Sequence, residues 1–326
     1  MVVADQAQIH MVAIRDNETL LAIRVLQEMD EKDRSNEQRA ELAAWQVQER
    51  NLEAFWCFER LIPNLRKTIT DSGPAYLRNF YATIKKGASE ARSSDLSTVS
   101  KHVGVFLNER VPRPDPLLKT LGRDIRMNRG IEHDTCLRLM LPIDLEDTDE
   151  TFRRIRDPTD TLDLRSSFFA RLFYPDFTGN RENVKAGFLR SQLLVLLYQV
   201  VFTSPSSAGS LNVERAVQTR TRPSRAVRGP VADILHMGKH VTLQSITYIS
   251  VLAYVALTNA SQWYSAYNGM DYTAMYNFII DSFQPGSEHL RELLEWWDRQ
   301  IFGNTPQSDV TGATITQRSM QLLNAQ

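Results

Sequence analysis

Asp233, His236 and His240 fall at i, i+3 and i+7 in VADILHMGKH, so a helix through them presents two imidazoles and a carboxylate on one face. That is the donor set of a two-histidine, one-carboxylate metal site. Gly238 weakens such a helix and no fourth ligand is identifiable. The favoured reading therefore makes Asp233 a cap and the histidines incidental, and expects no cofactor. A second concentration of chemistry is cationic: Arg215, Arg220, Arg222, Arg225 and Arg228 lie in RAVQTRTRPSRAVR with no acid among them. Guanidinium groups so spaced suit phosphates of nucleic acid, or an acidic partner. The competing and preferred reading leaves this charge solvated, or closes it on the chain's own acidic stretch. Ser204 precedes Pro205 in FTSPSSAG, the pattern of a proline-directed phosphorylation site. No GxSxG elbow surrounds these serines, and helix capping is their commoner use.

Two further groups invite a ligand. Asp144, Glu146, Asp147, Asp149 and Glu150 alternate like a calcium loop but lack its central glycine and closing bidentate Glu, so they read as a solvated loop. Tyr264, Tyr267, Asn268, Gly269 and Tyr272, preceded by Trp263, gather aromatics around a turn. Such aromatics line ligand pockets, although closing the end of a buried helix is the more frequent reason for them. With no P-loop, dinucleotide fingerprint, HExxH or paired CxxC in the chain, the expectation is a non-enzymatic interaction or scaffold protein. Its rivals are a nucleic-acid-associated factor using the arginine loop, and an enzyme with an unfamiliar site.

The elements that must position these residues read as mainly α: a multi-helix globular domain with an N-terminal helical arm. Residues 1–70 form the arm, where Leu42, Trp45, Leu52, Phe55, Phe58, Ile62, Leu65 and Ile69 share one stripe; the preferred reading docks it on the chain's own core, and the alternative makes it a homo-oligomer or partner seam. Short helices follow over 71–130, near Pro74–Ala91, Leu96–Glu109 and Pro116–Met127, separated by turn chemistry. Residues 131–164 form an irregular acidic connection, with a short hairpin expected around Cys136–Ile143. Residues 165–303 form the C-terminal helical core, and 304–326 a loosely held tail. Within the core, Phe188–Phe202 and Val241–Leu257 are apolar on nearly every face, Thr242 and Asp271 stand as N-caps, and Glu295 and Arg299 are spaced as an i, i+4 pair.

Several of these strings resemble a much-expanded family of proteins from mushroom-forming fungi: GFLRSQLLVLLYQVVFTSPSSAG, VADI, VTLQSITYISVLAYVAL and LLEWWDRQIFG, in that order. Members carry FTSPSSA, a polar insert, ADI, a long uncharged helix and a closing LLxWWxRQIF helix. The resemblance spans roughly residues 131–303 and is tight after Gly187. Where members read HPxTGxLLCP this chain has HDTCLRLMLP, and Leu243 stands where members have proline. The resemblance implies a fold neighbourhood and no mechanism.

Composition limits the remaining classes. Thirty-eight Lys+Arg balance 39 Asp+Glu over 326 residues, yet residues 132–163 carry ten acids against four arginines, while 181–240 are basic. Neutrality therefore hides opposed patches. Two cysteines, Cys57 and Cys136, fit neither a disulfide framework nor a structural zinc site, so a reducing, intracellular compartment, cytoplasmic or nuclear and not secreted, is expected. The uncharged stretch from Val241 to Met270 is too rich in Thr, Ser, Gln and Asn for a bilayer span and reads as a buried helix.

Overall fold

The computed structural model describes residues 25–26, 29–122, 125–203, 231, 237 and 240–303. The chain divides into two compact units, Met1–Glu90 and Ala91–Gln326. In the first unit, α1 (Asn36–Leu61) starts at a capping box in which the Ser35 and Gln38 side chains each take the other's backbone N–H. Leu42 buries against Leu26, with Met29 and Trp45 alongside. Pro63 follows the helix end, Asn64 adopts φ 58°, and α2 (Leu65–Asp71) begins anew.

Helix α3 (Pro74–Asn108) runs unbroken through RSSD, where the sequence suggests two helices. Those polar residues ride on one continuous helix rather than ending it. The Ser94 carbonyl accepts from the Thr98 hydroxyl. Asp95 turns toward the core, where its carboxylate accepts the Tyr248 hydroxyl at 2.8 Å. Among the described residues of Pro116–Met127 the expected helix does not form. There the Asn108 side chain takes both the N–H and the C=O of Leu118, at 3.0 and 2.8 Å, so the segment satisfies its backbone without a helix.

The second unit centres on α7 (Leu243–Leu257), whose Thr242 forms a capping box with Ser245. Thirteen of its fifteen residues are buried, including Thr247, Ser250 and Tyr254. The Ser250 hydroxyl satisfies itself on the Ile246 carbonyl within the helix. No helix among the described residues is long and apolar enough to cross a membrane. Around α7 pack α4 (Asp134–Met140), α6 (Gln192–Tyr198) and α8 (Tyr272–Asp281), and α9 (Glu288–Phe302) packs on α6. The apolar run from Phe188 is not one helix. Leu189 sits at φ 62°, α6 starts only at Gln192, and Gln199–Thr203 winds into a π-helical turn.

The acidic connection is more ordered than its composition suggests. Cys136–Ile143 forms no hairpin: Cys136 lies in α4, and the extended residues after it pair with a distant segment. The Ile143 N–H donates to Phe169 O and the Arg171 N–H to Leu141 O. DLEDTDE supplies the start of α5 (Asp149–Arg156), with Thr148 as its cap, acids in the first turn and arginines in the last, each sign at the favourable end of the dipole. In α9 the Glu295 carboxylate is held by Arg291 at 2.9 Å, rather than by the expected Arg299.

The two cysteines differ sharply. Cys57 is exposed, whereas Cys136 is fully buried and its thiol is pushed up to about 12 by burial. Thiol titration of the native protein should therefore consume one equivalent of Ellman's reagent promptly, and denaturation should release the second. Two fast equivalents in native buffer contradict the packing around Cys136.

Candidate functional site

The aromatic turn is built first. Asn268 and Gly269 take φ 49° and 78°, the pair of left-handed residues a type I′ turn requires, and join β1 (Ala266–Tyr267) to β2 (Met270–Asp271). The next residue in line caps α8: Asp271 accepts the N–H groups of Thr273 and Ala274. The φ of 78° favours glycine at 269, and a Cβ there would stand 2.5 Å from the Arg165 guanidinium and push that side chain aside. On the far side of Arg165, Asp163 accepts its backbone N–H at 2.7 Å and its side-chain Nε at 2.6 Å.

Between this hairpin, the end of α7, the 3-10 turn Gly130–Glu132 and the Asp163–Arg165 segment lies a cleft of about 440 Å³. Its buried lining includes Tyr254, Tyr272, Met140 and Met270, with Gly130 and Thr258. Half-buried Tyr267 adds a wall, tied by its hydroxyl to Asn259 Oδ1 at 3.0 Å. Glu132 and Asn268 are exposed lining residues. The volume and the apolar lining with a few polar groups are those of a small-ligand pocket.

The electrostatics of the cleft point away from proton transfer at neutral pH. Arg165 holds the Asp163 carboxyl below its ordinary value. Burial pushes the Tyr272 phenol up to about 12, and pushes Tyr254 up as well. The Tyr272 hydroxyl has no aligned hydrogen bond among the described residues, though Thr258 is near enough to soften the shift. Each of these groups thus keeps one protonation state near pH 7, whereas a general acid or base works with a pKa near the operating pH. Arg126 donates to the Ser261 carbonyl at 2.6 Å and interacts electrostatically with Tyr272, Tyr264 and Tyr267.

Buried tyrosines also set the alkaline limit of the fold. Tyr198 and Tyr272 both rise from 10 to about 12. A folded pKa above the unfolded one means that the stabilisation is complete below pH 10 and is lost as pH climbs toward 12. Two units correspond to about 3 kcal/mol for each phenol. The five tyrosines that burial raises, Tyr174, Tyr198, Tyr248, Tyr254 and Tyr272, should add their share of tyrosinate absorbance near 295 nm only together with the loss of far-UV circular dichroism above about pH 10. Titration of all ten tyrosines while the helices persist would contradict these burials.

Most residues nominated from sequence lie outside the described part: Ser204, Arg215, Arg220, Arg222, Arg225, Arg228, Asp233 and His236. His240 is described, and its Nδ1 stands 2.8 Å from Asp298 Oδ2, while Asp298 Oδ1 accepts the Val241 N–H. The carboxylate that orients this imidazole thus comes from α9, a pairing that no local spacing could reveal. Among the described residues no group of three or more His, Cys, Asp or Glu could hold a metal.

Six of the ten acids in residues 132–163 pair with arginines, four of which lie within that stretch while Arg165 and Arg181 lie beyond it. Asp147 pairs with Arg138, Glu150 with Arg153, Asp160 with Arg154, Asp134 with Arg156, Asp163 with Arg165 and Glu146 with Arg181. Exposed pairs such as these add little stability, but they decide where the charge goes. Sequence reasoning did single out the aromatic turn. It missed Arg165, Glu132 and Tyr254, which come from segments far apart in the chain; the Asn-Gly pair was the legible hairpin signal.

A family model, "Family of unknown function (DUF6698)", matches residues 86–302, which include the whole cleft. No curated protein and no solved structure matches.

Proposed function

The chain belongs to the DUF6698 family of unknown function, and from that premise we propose that it is a non-enzymatic recognition protein whose cleft accepts a small ligand or a partner's side chain. The observation that carries this reading is the chemistry of the lining: aromatic and thioether surface, with its perturbed groups displaced away from neutral pH. Such a site is suited to holding a group rather than transforming one. The intracellular setting and an association role for the N-terminal helices belong to the same proposal, as does membership of the mushroom-forming fungal branch read from the FTSPSSA, ADI and LLxWWxRQIF strings. A fragment set screened by ligand-observed NMR tests the reading. Binders should lose contact with Tyr267→Ala and keep it with Tyr76→Ala, an exposed aromatic outside the cleft. Absence of any binder, or binders indifferent to Tyr267→Ala, overturns it.

A second reading is favoured by one observation, the pairing of six acids of the acidic stretch with arginines. With those carboxylates taken, Arg215, Arg220, Arg222, Arg225 and Arg228 find their counter-charge on an external polyanion such as nucleic acid. Binding of a fluorescent oligonucleotide at about 50 mM salt should weaken steeply with added salt and be lost when Arg220, Arg222 and Arg225 become Ala. No binding by the unmutated chain at that salt eliminates this role.

A further inference from the structure

The charges around the cleft are unequal in their partners. Asp163 is committed to Arg165 through side-chain and backbone bonds, and the Arg165 guanidinium is in turn held by Asp163 and packed on Gly269. Asn259 Oδ1 is taken by Tyr267. Glu132 differs: among the described residues its carboxylate makes no hydrogen bond and no ion pair, and it is exposed while lining the cleft. Glu132 therefore leaves the lining with a net charge of −1 at the exposed end of an aromatic and thioether surface.

We propose that the cleft binds an arylalkylamine-type organic cation, with its ammonium at Glu132 and its uncharged aromatic body against Tyr254, Tyr267 and Tyr272. This rests on the reading of the cleft as a binding site. Three features support the orientation. Tyr267 lines the same cleft as Glu132, and its electron-rich ring face attracts an ammonium. Tyr254, Tyr272, Met140 and Met270, each only 1–5% exposed, give the cleft an apolar floor. Arg126, which interacts electrostatically with Tyr272, Tyr264 and Tyr267, disfavours a cation among those rings. Positive charge is thereby favoured at Glu132.

The test uses the full chain and three probes of one shape: 2-(naphthalen-1-yl)ethylamine, the corresponding ethanol, and naphthaleneacetate. Binding is measured by isothermal titration calorimetry and by saturation-transfer NMR. The amine should bind roughly 5- to 20-fold tighter than the alcohol, as expected for an exposed ion pair plus a cation–π contact, and the carboxylate most weakly. Glu132→Gln, an exposed substitution expected to keep the thermal midpoint, should reduce the amine's preference to less than about twofold without changing the affinity for the alcohol. Tyr267→Ala should weaken all three. Alcohol or carboxylate binding as tightly as the amine, or a preference that survives Glu132→Gln, overturns the cationic ligand while leaving the cleft a binding site. Failure of all three probes overturns the cleft itself.

Discussion

Trp297→Ala should lower the unfolding free energy by about 3–5 kcal/mol, the range for deleting a large aromatic from a close-packed core. Trp297 is fully buried on α9. Its ring lies 5.4 Å from that of Tyr198 on α6, and its indole N–H donates to the Leu189 carbonyl at 2.9 Å. That carbonyl belongs to a leucine at φ 62°, a left-handed conformation that bulky residues avoid and that surrounding contacts must hold. The substitution therefore opens a cavity between α9 and α6 and removes the anchor of the turn that launches α6. Trp297→Phe separates the two effects: most of the volume stays, the orphaned carbonyl remains, and a loss of about 1–2 kcal/mol is expected. Urea denaturation followed by far-UV circular dichroism measures both variants. A loss below about 1 kcal/mol for the alanine variant would mean that the site collapses or admits water, contrary to the packing described.

Arg129→Met should cost about 3–5 kcal/mol, although it removes a buried charge that is expensive to desolvate. Only 1 % of Arg129 is exposed, and burial pushes its pKa down to about 10. Among the described residues no carboxylate bonds to it. Its guanidinium donates to three backbone carbonyls: Ala256 at 2.6 Å, Ser100 at 2.9 Å and Lys119 at 3.0 Å. Ala256 lies in the last turn of α7, where carbonyls lack an intrahelical donor and the dipole is negative, so the cation caps this buried helix. The same fork joins α3, α7 and the segment between Asn108 and Arg129. Methionine restores apolar volume but leaves these carbonyls without their donor. Arg129→Lys keeps the charge, yet one ammonium cannot satisfy three divergent acceptors, so a loss of about 2–3 kcal/mol is expected. If the Arg129→Met variant proved as stable in urea as the wild-type protein, desolvation would outweigh the three bonds. At high pH the depressed pKa of Arg129 works against the tyrosines, because between about 10 and 12.5 the unfolded chain binds the extra proton.

Periodicity and cap chemistry were legible because they are local. Thr242 and Asp271 cap α7 and α8 as their positions predict, and the uncharged stretch from Val241 is a core helix. The errors arose where a local cue was answered by a distant partner. RSSD resembles a break, but Asp95 finds the Tyr248 hydroxyl and α3 continues. Cys136–Ile143 resembles a hairpin, but residues 141–143 pair with 169–171 instead. Pro116–Met127 resembles a helix, but the Asn108 side chain takes the backbone of Leu118.

The site divides in the same way. The sequence by itself determined the mainly helical class, the buried α7, the aromatic turn at Asn268–Gly269 and the opposed charge patches, because residue type and spacing act over a few positions along one element. Tertiary structure alone decided that the turn walls a cleft with Glu132, Asp163, Arg165 and Tyr254, that Asp298 orients His240, and that Asp147, Asp160 and Glu146 of the acidic stretch pair with Arg138, Arg154 and Arg181. Those outcomes depend on which side chains converge after helices pack, and convergence follows from burial and crossing geometry that no interval along the chain encodes.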